Sequence, residues 1–146
     1  MKIMKFLAVS LMLLYAASSF ASQTAAKLYK NPNCGCCGQY AEYLERNGFD
    51  VEVINTEDLT AIKLEHDVSE EMFGCHTTLI ETYLFEGHIP VDIVNTVLEE
   101  KPFIRGLSVP GMPAGSPGMG GNKRGSIDVY ALNFGPMTSS IIYTSF

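Results

Sequence analysis

The stretch Ala25–Gly48, AAKLYKNPNCGCCGQYAEYLERNG, decides the fold. Ala25 to Lys30 is short and partly apolar, and Asn31-Pro32-Asn33 is turn chemistry, so a buried strand runs into a turn. From Cys37 to Asn47 the apolar positions Tyr40, Tyr43 and Leu44 recur at helical spacing. Gly48 is placed to close that helix in a left-handed cap. Strand, turn and helix follow without a linker, and Cys34, Cys36 and Cys37 stand at the joint.

Outward from this unit the chain supplies its partners. Val51 and Val53 alternate with Glu52 ahead of Ile54, which predicts a second strand. Asn55 or Thr56 then caps a helix carrying Leu59 and Ile62, and Ser69 caps one more turn before Gly74. Thr77–Glu86, TTLIETYLFE, holds two β-prone runs that predict a hairpin turning near Glu81-Thr82. Pro90 sits where a first helical turn accepts it; Val91, Val94, Val97 and Leu98 form the apolar stripe, and Pro102 stops the helix. The order is a βαβ unit followed by a ββα unit. That is an α/β, thioredoxin-like layout: a mixed sheet with helices on both faces.

After Phe103 the composition changes. Gly106–Gly125, GLSVPGMPAGSPGMGGNKRG, contains 7 glycines and 3 prolines. It is expected to form neither a helix nor a central strand, and a loop of this length is functional or loosely held. Alternation returns at Ile127, Val129 and Ala131. A turn at Gly135-Pro136 and the run Ile141-Ile142-Tyr143 predict an added C-terminal β-hairpin. No segment repeats another.

The N-terminus sets the expected compartment. Lys2 and Lys5 precede the apolar run Phe6–Ala17, and Ser19-Phe20-Ala21 offers small residues at the positions a signal peptidase reads. Residues 1–21 therefore read as a signal peptide, exporting a single domain, 22–146, to the periplasm; no later stretch is long and apolar enough to span a bilayer. One core fits in a domain of that length, not two. Without Lys2 and Lys5 the chain keeps 8 basic against 16 acidic side chains, a formal charge of −8. Such a surface repels phosphate backbones, so neither nucleic acid nor, after cleavage, a membrane is an expected partner.

The chemistry lies in the cysteines. Cys34, Cys36 and Cys37 sit where unpaired helix amides and the positive end of the helix dipole favour thiolate. The segment Gly74-Cys75-His76-Thr77, just before the hairpin, packs against that turn in this layout, which brings a fourth sulfur to the other three. Three chemistries fit these residues. Two structural disulfides suit an exported domain with an even cysteine count, although adjacent Cys36 and Cys37 strain that arrangement. A Cys34–Cys37 pair has the spacing of a thiol–disulfide oxidoreductase, for which Cys36 is superfluous. Four crowded thiolates are soft ligands for copper(I), zinc(II) or iron–sulfur centres. Adjacent cysteines bridge several ions more readily than they surround one, which favours a polynuclear copper(I) site. Zinc, held by four cysteines or by three with His76, is the alternative.

Three motifs in this order, NPNCGCCGQY, GCHTTLIETYLFEGHIP and IRGLSVPGMPAGSPGM, resemble the CopG family of small periplasmic copper-associated proteins, long catalogued as a domain of unknown function. The resemblance spans Leu28 to Met119. It implies a thioredoxin-like fold, metal binding and a link to copper resistance, with Cys34, Cys36, Cys37 and Cys75 as the metal ligands. Other periplasmic copper-handling proteins are the partners that it implies besides the metal ion.

Four further residues are candidate accessories. His76 adjoins Cys75 and is either a ligand, a group tuning a thiolate, or a solvent-facing turn residue. His88, before the Pro90 helix, suits capping or packing better than ligation. Met112 and Met119 offer thioether sulfur within the glycine-rich loop, where they either shield copper or fill apolar gaps beneath it. His66 is expected on a solvated helix face. No serine–histidine–aspartate set, phosphate loop or catalytic carboxylate pair is evident, so binding is expected in preference to catalysis.

Overall fold

The computed structural model describes residues 23–135 and 141–146. The expected signal peptide, and Pro136 of the expected C-terminal turn, lie outside the described residues. The elements run β1 (Thr24–Lys30), α1 (Gly35–Arg46), β2 (Phe49–Asn55), α2 (Leu59–Glu65), a 3₁₀ turn (Glu70–Met72), β3 (Thr77–Ile80), β4 (Tyr83–Glu86), α3 (Val91–Glu100), β5 (Gly106–Ser108), β6 (Asp128–Leu132) and β7 (Ile141–Ser145).

The strands form one mixed sheet in the order β2-β1-β3-β4-β5-β6-β7. β1 pairs parallel with β2, Leu28 opposite Val53, and antiparallel with β3, Leu28 opposite Thr78. β3 and β4 form the expected hairpin, with Ile80 opposite Tyr83 and Glu81 taking the left-handed conformation at φ 53°. β6 and β7 pair antiparallel at the C-terminal edge, Val129 opposite Thr144.

Strand alternation divides the buried side chains between two faces. On one, Ala26, Leu28, Ile80, Phe85, Leu107 and Val129 pack with Tyr40, Ala41 and Leu44 of α1 and with Val91, Val94 and Val97 of α3. On the other, Leu84 and Leu132 pack with Val68 and Met72, around the 3₁₀ turn. Lys63 of α2 is buried on that second face too, bonded to Thr77 and Glu86. Helices thus cover both faces of the sheet.

Four expectations about boundaries and caps need correction. α1 starts at Gly35 rather than Cys37, with Cys34 as its extended N-cap residue. α2 is capped by Asp58, whose Oδ1 accepts from the Ala61 N–H at 3.0 Å, because β2 continues through Asn55. His66 is the C-cap residue of α2 and half-buried rather than solvated. The largest change is at Gly106–Ser108, which forms β5, a central strand parallel to β4 and antiparallel to β6. Glycine is what admits it: a Cβ at Gly106 would stand 1.7 Å from the Leu84 carbonyl oxygen. Three fully buried residues suffice for the strand, and the remaining loop begins only after Val109.

Candidate metal centre

Two segments converge to build the site. In the first, the Lys30 ammonium is buried at the end of β1 and donates to the carbonyls of Asn31 (2.9 Å) and Pro32 (3.2 Å) and to Asn55 Oδ1 (3.2 Å). That clamp holds the turn from which Cys34 enters α1. Cys37 is buried in the first turn of the helix, and Cys34 and Cys36 are half-buried. Their backbone lies at a helix N-terminus, where partial positive charge stabilises thiolate.

The second segment is Phe73–Thr77. Glu86, fully buried on β4, accepts from the Gly74 N–H at 2.8 Å and from Thr77 Oγ1 at 2.7 Å. Lys63 forms an ion pair with the same carboxylate and donates to Thr77 Oγ1 at 3.1 Å. Burial lowers the Lys63 pKa and raises that of Glu86; each partner's charge opposes the shift in the other. The Gly87 N–H donates to the His76 carbonyl at 2.9 Å. Here two backbones come very close, since a Cβ at Gly74 would stand 2.6 Å from the Gly87 Cα. Cys75 is therefore held from both sides by backbone that has little room to shift.

The result is a four-sulfur cluster. Cys75 Sγ lies 3.2 Å from Cys34 Sγ, 3.3 Å from Cys36 Sγ and 3.1 Å from Cys37 Sγ, and Cys34 Sγ lies 3.4 Å from Cys36 Sγ. Cys34 and Cys37 are joined as a disulfide with Cα atoms 5.4 Å apart, leaving Cys36 and Cys75 as free thiols. Burial pushes the Cys75 thiol up to about 12, Cys36 adds to the rise, and the Lys63 charge opposes it. Two simultaneous structural disulfides are not present: Cys36 and Cys75 are close but unbonded.

The donors suit a soft ion. Sulfurs around one tetrahedral ion at about 2.3 Å stand about 3.8 Å apart. The contacts to Cys75 fall within about 0.7 Å of that spacing. Thiolate sulfur is the donor that selects copper(I) and zinc over hard cations.

The accessory candidates divide. His76 and His88 are both fully buried, so neither faces solvent, and the N-cap of α3 is Pro90 rather than His88. Their rings meet edge to face with centroids 4.7 Å apart, and both pack on Tyr40, at 4.5 and 5.2 Å. Tyr40 is anchored by its hydroxyl, which donates to the Ile89 carbonyl at 2.7 Å. Burial and the neighbouring positive groups hold the His76 pKa well below 6.5, and burial lowers that of His88. Met112 stands 62% exposed and fills no gap beneath the loop, whereas Met119 is half-buried. The loop rests on the site through other atoms: the Pro117 carbonyl bonds His88, and Gly118, with φ 78°, lies so close to α1 that a Cβ would meet the Tyr40 nitrogen at 2.8 Å.

A mixed α/β sheet that gathers four cysteines from two distant segments defines a thiol-rich class of protein. Residues 72–119 match the family described as "Protein of unknown function, DUF411". Two solved structures are similar to the chain over 85% of its length and 98% of theirs. One, titled "Copper resistance protein copG- Form 2", is 33% identical with a TM-score of 0.76. The other, titled "Copper resistance protein copG- Form 1", is 34% identical with a TM-score of 0.74. Comparison with curated proteins gives no match. The chain belongs to the CopG family of copper resistance proteins.

Proposed function

We propose that this protein is a periplasmic copper(I)-binding protein acting in copper resistance. Cys34, Cys36, Cys37 and Cys75 hold a thiolate-bridged, polynuclear copper site. The observation that carries this reading is the approach of three sulfurs at the head of α1 to within 3.1–3.3 Å of Cys75 Sγ. Four thiolates around so small a space favour bridging over separate ions, and the similar solved structures are of copper resistance proteins. The frame we assign is thioredoxin-like, on the strength of the β2-β1-β3-β4 order with β1 and β2 parallel.

Sequestration, transfer or redox handling of copper follows from a site that can be opened and closed. Forming the Cys34–Cys37 bond takes two electrons from two thiolates to an external oxidant and removes two of the four ligands. Reduction restores them. Oxidation state would then gate loading from the four-sulfur site, with a copper-handling protein as donor or acceptor.

A thiol–disulfide oxidoreductase is the second reading, favoured by the Cys34–Cys37 bond at a helix N-terminus. Combining Cys36→Ser with Cys75→Ser separates the two. Copper binding by the reduced protein should be abolished; full disulfide-exchange activity without any copper binding in the unaltered protein would instead favour the oxidoreductase.

A further inference from the structure

Beneath the four sulfurs lies a second set of donors. Cys75 Sγ, one ring nitrogen of His76 and one of His88 all lie within 4.8 Å of one another. Both imidazoles are completely buried, and His76 Nδ1, His76 Nε2 and His88 Nε2 have no hydrogen-bond partner among the described residues. Buried polar atoms are normally paired, so three orphaned nitrogens on two rings that each bring a nitrogen near one sulfur need a reason.

The orientation of His88 supplies one. A carbonyl only accepts, so His88 Nδ1 carries the proton and donates it to the Pro117 oxygen at 2.6 Å. Its Nε2 is therefore left with a free lone pair. That is how metal-bound imidazoles are usually set, one nitrogen pinned to a carbonyl and the other turned to the ion. Tyr40 packs on both rings and fixes their planes. Gly87, at φ 78°, turns the chain between Glu86 and His88, which places His88 beside His76 rather than continuing the strand.

We infer that Cys75, His76 and His88 form a mixed thiolate–imidazole site for a single copper(I) ion, sharing the Cys75 sulfur with the four-sulfur cluster. The inference rests on the proposed copper function and deepens it. Neither Cys34 nor Cys37 belongs to this donor set, so it stays complete when those two are bonded to each other. Oxidation would then lower the copper content without emptying the protein. The last ion would stay buried under the Pro117–Gly118 segment, with Cys75, half-exposed, as its point of entry.

The test compares two states of the full chain, prepared without oxygen: fully reduced, and with the Cys34–Cys37 bond closed. A count of two free thiols per chain, taken before and after loading, defines the second state. Each is titrated with copper(I) against a chromophoric chelator. The disulfide form should hold one copper per chain, with nitrogen as well as sulfur scatterers in its X-ray absorption spectrum. His88→Gln should weaken that binding by about 10–100-fold or more. Because these histidines are buried, the absorption spectrum of the unaltered protein serves as the independent readout. A disulfide form that binds no copper, or binds it through sulfur alone, overturns the inference while the reduced form still loads. Failure of both forms to load copper overturns the copper function as well.

Discussion

The two faces of the sheet bury different things. Under α1 and α3 the core carries no buried charge pair among the described residues: Leu28, Leu44, Phe85, Ile89 and Leu107 are each completely inaccessible. The polar groups among them are Thr78 and the neutral His76 and His88 rings against Tyr40. Under α2 the apolar cluster is small, and a lysine and a glutamate are buried beside it at 4% and 0% side-chain exposure. Burial of that kind is a poor source of stability, because desolvating two charges costs about what their attraction returns. What the pair does is local. Glu86 ties down the amide of Gly74 and the hydroxyl of Thr77, and Cys75 lies between them. One face holds the fold together; the other fixes a sulfur.

Breaking the ion pair from one side should have the largest effect. Lys63→Met leaves Glu86 buried without its counter-charge and should cost about 3–5 kcal/mol in urea unfolding. Adding Glu86→Leu should recover most of that stability. Copper affinity should nevertheless stay weakened in the double variant, since Gly74 has lost its acceptor. Recovery of both would show that the pair does not position Cys75.

The apolar face should behave in the opposite way. Leu44→Ala removes a fully buried side chain and should lower unfolding free energy by about 2–5 kcal/mol, with copper stoichiometry of the folded protein unchanged. A smaller effect comes from pH. In the metal-free protein His76 and His88 are held neutral, with folded pKa values below the unfolded value near 6.5. Unfolding therefore takes up protons as pH falls below about 6.5, and stability should drop there by up to about 1.4 kcal/mol per pH unit for each histidine. Thermal unfolding between pH 7.5 and 5 checks this, and His88→Gln should flatten the slope. Least of all, Lys27→Ala breaks the exposed Lys27–Glu52 pair on the β1–β2 edge and should change stability by less than about 1 kcal/mol.

The same contrast explains what the sequence made legible. Strand, turn and helix around the three cysteines could be read directly, because Tyr40, Tyr43 and Leu44 keep helical spacing and Gly48 punctuates the end. The meeting of Cys75 with the trio followed from the order of elements. β5 was missed because it is only three residues long and depends on Gly106 having no Cβ against Leu84, a contact between residues far apart in the chain. Lys63 and Glu86 left a fainter signal: Lys63 follows Leu59 by four residues, and Glu86 follows Leu84 by two, so each charge occupied an apolar-face position. Only tertiary packing reveals that the two positions face each other. The imidazole pair was hidden for a similar reason, since Gly87 breaks the strand alternation that would otherwise predict where His88 points.

Copper analysis joined to thiol counting, on protein purified and reduced without oxygen, bears most directly on the central claim. More than one copper(I) per chain, with all four cysteines protected from a thiol reagent until a chelator strips the metal, is the expected result. Four freely reactive thiols with no copper retained would contradict it.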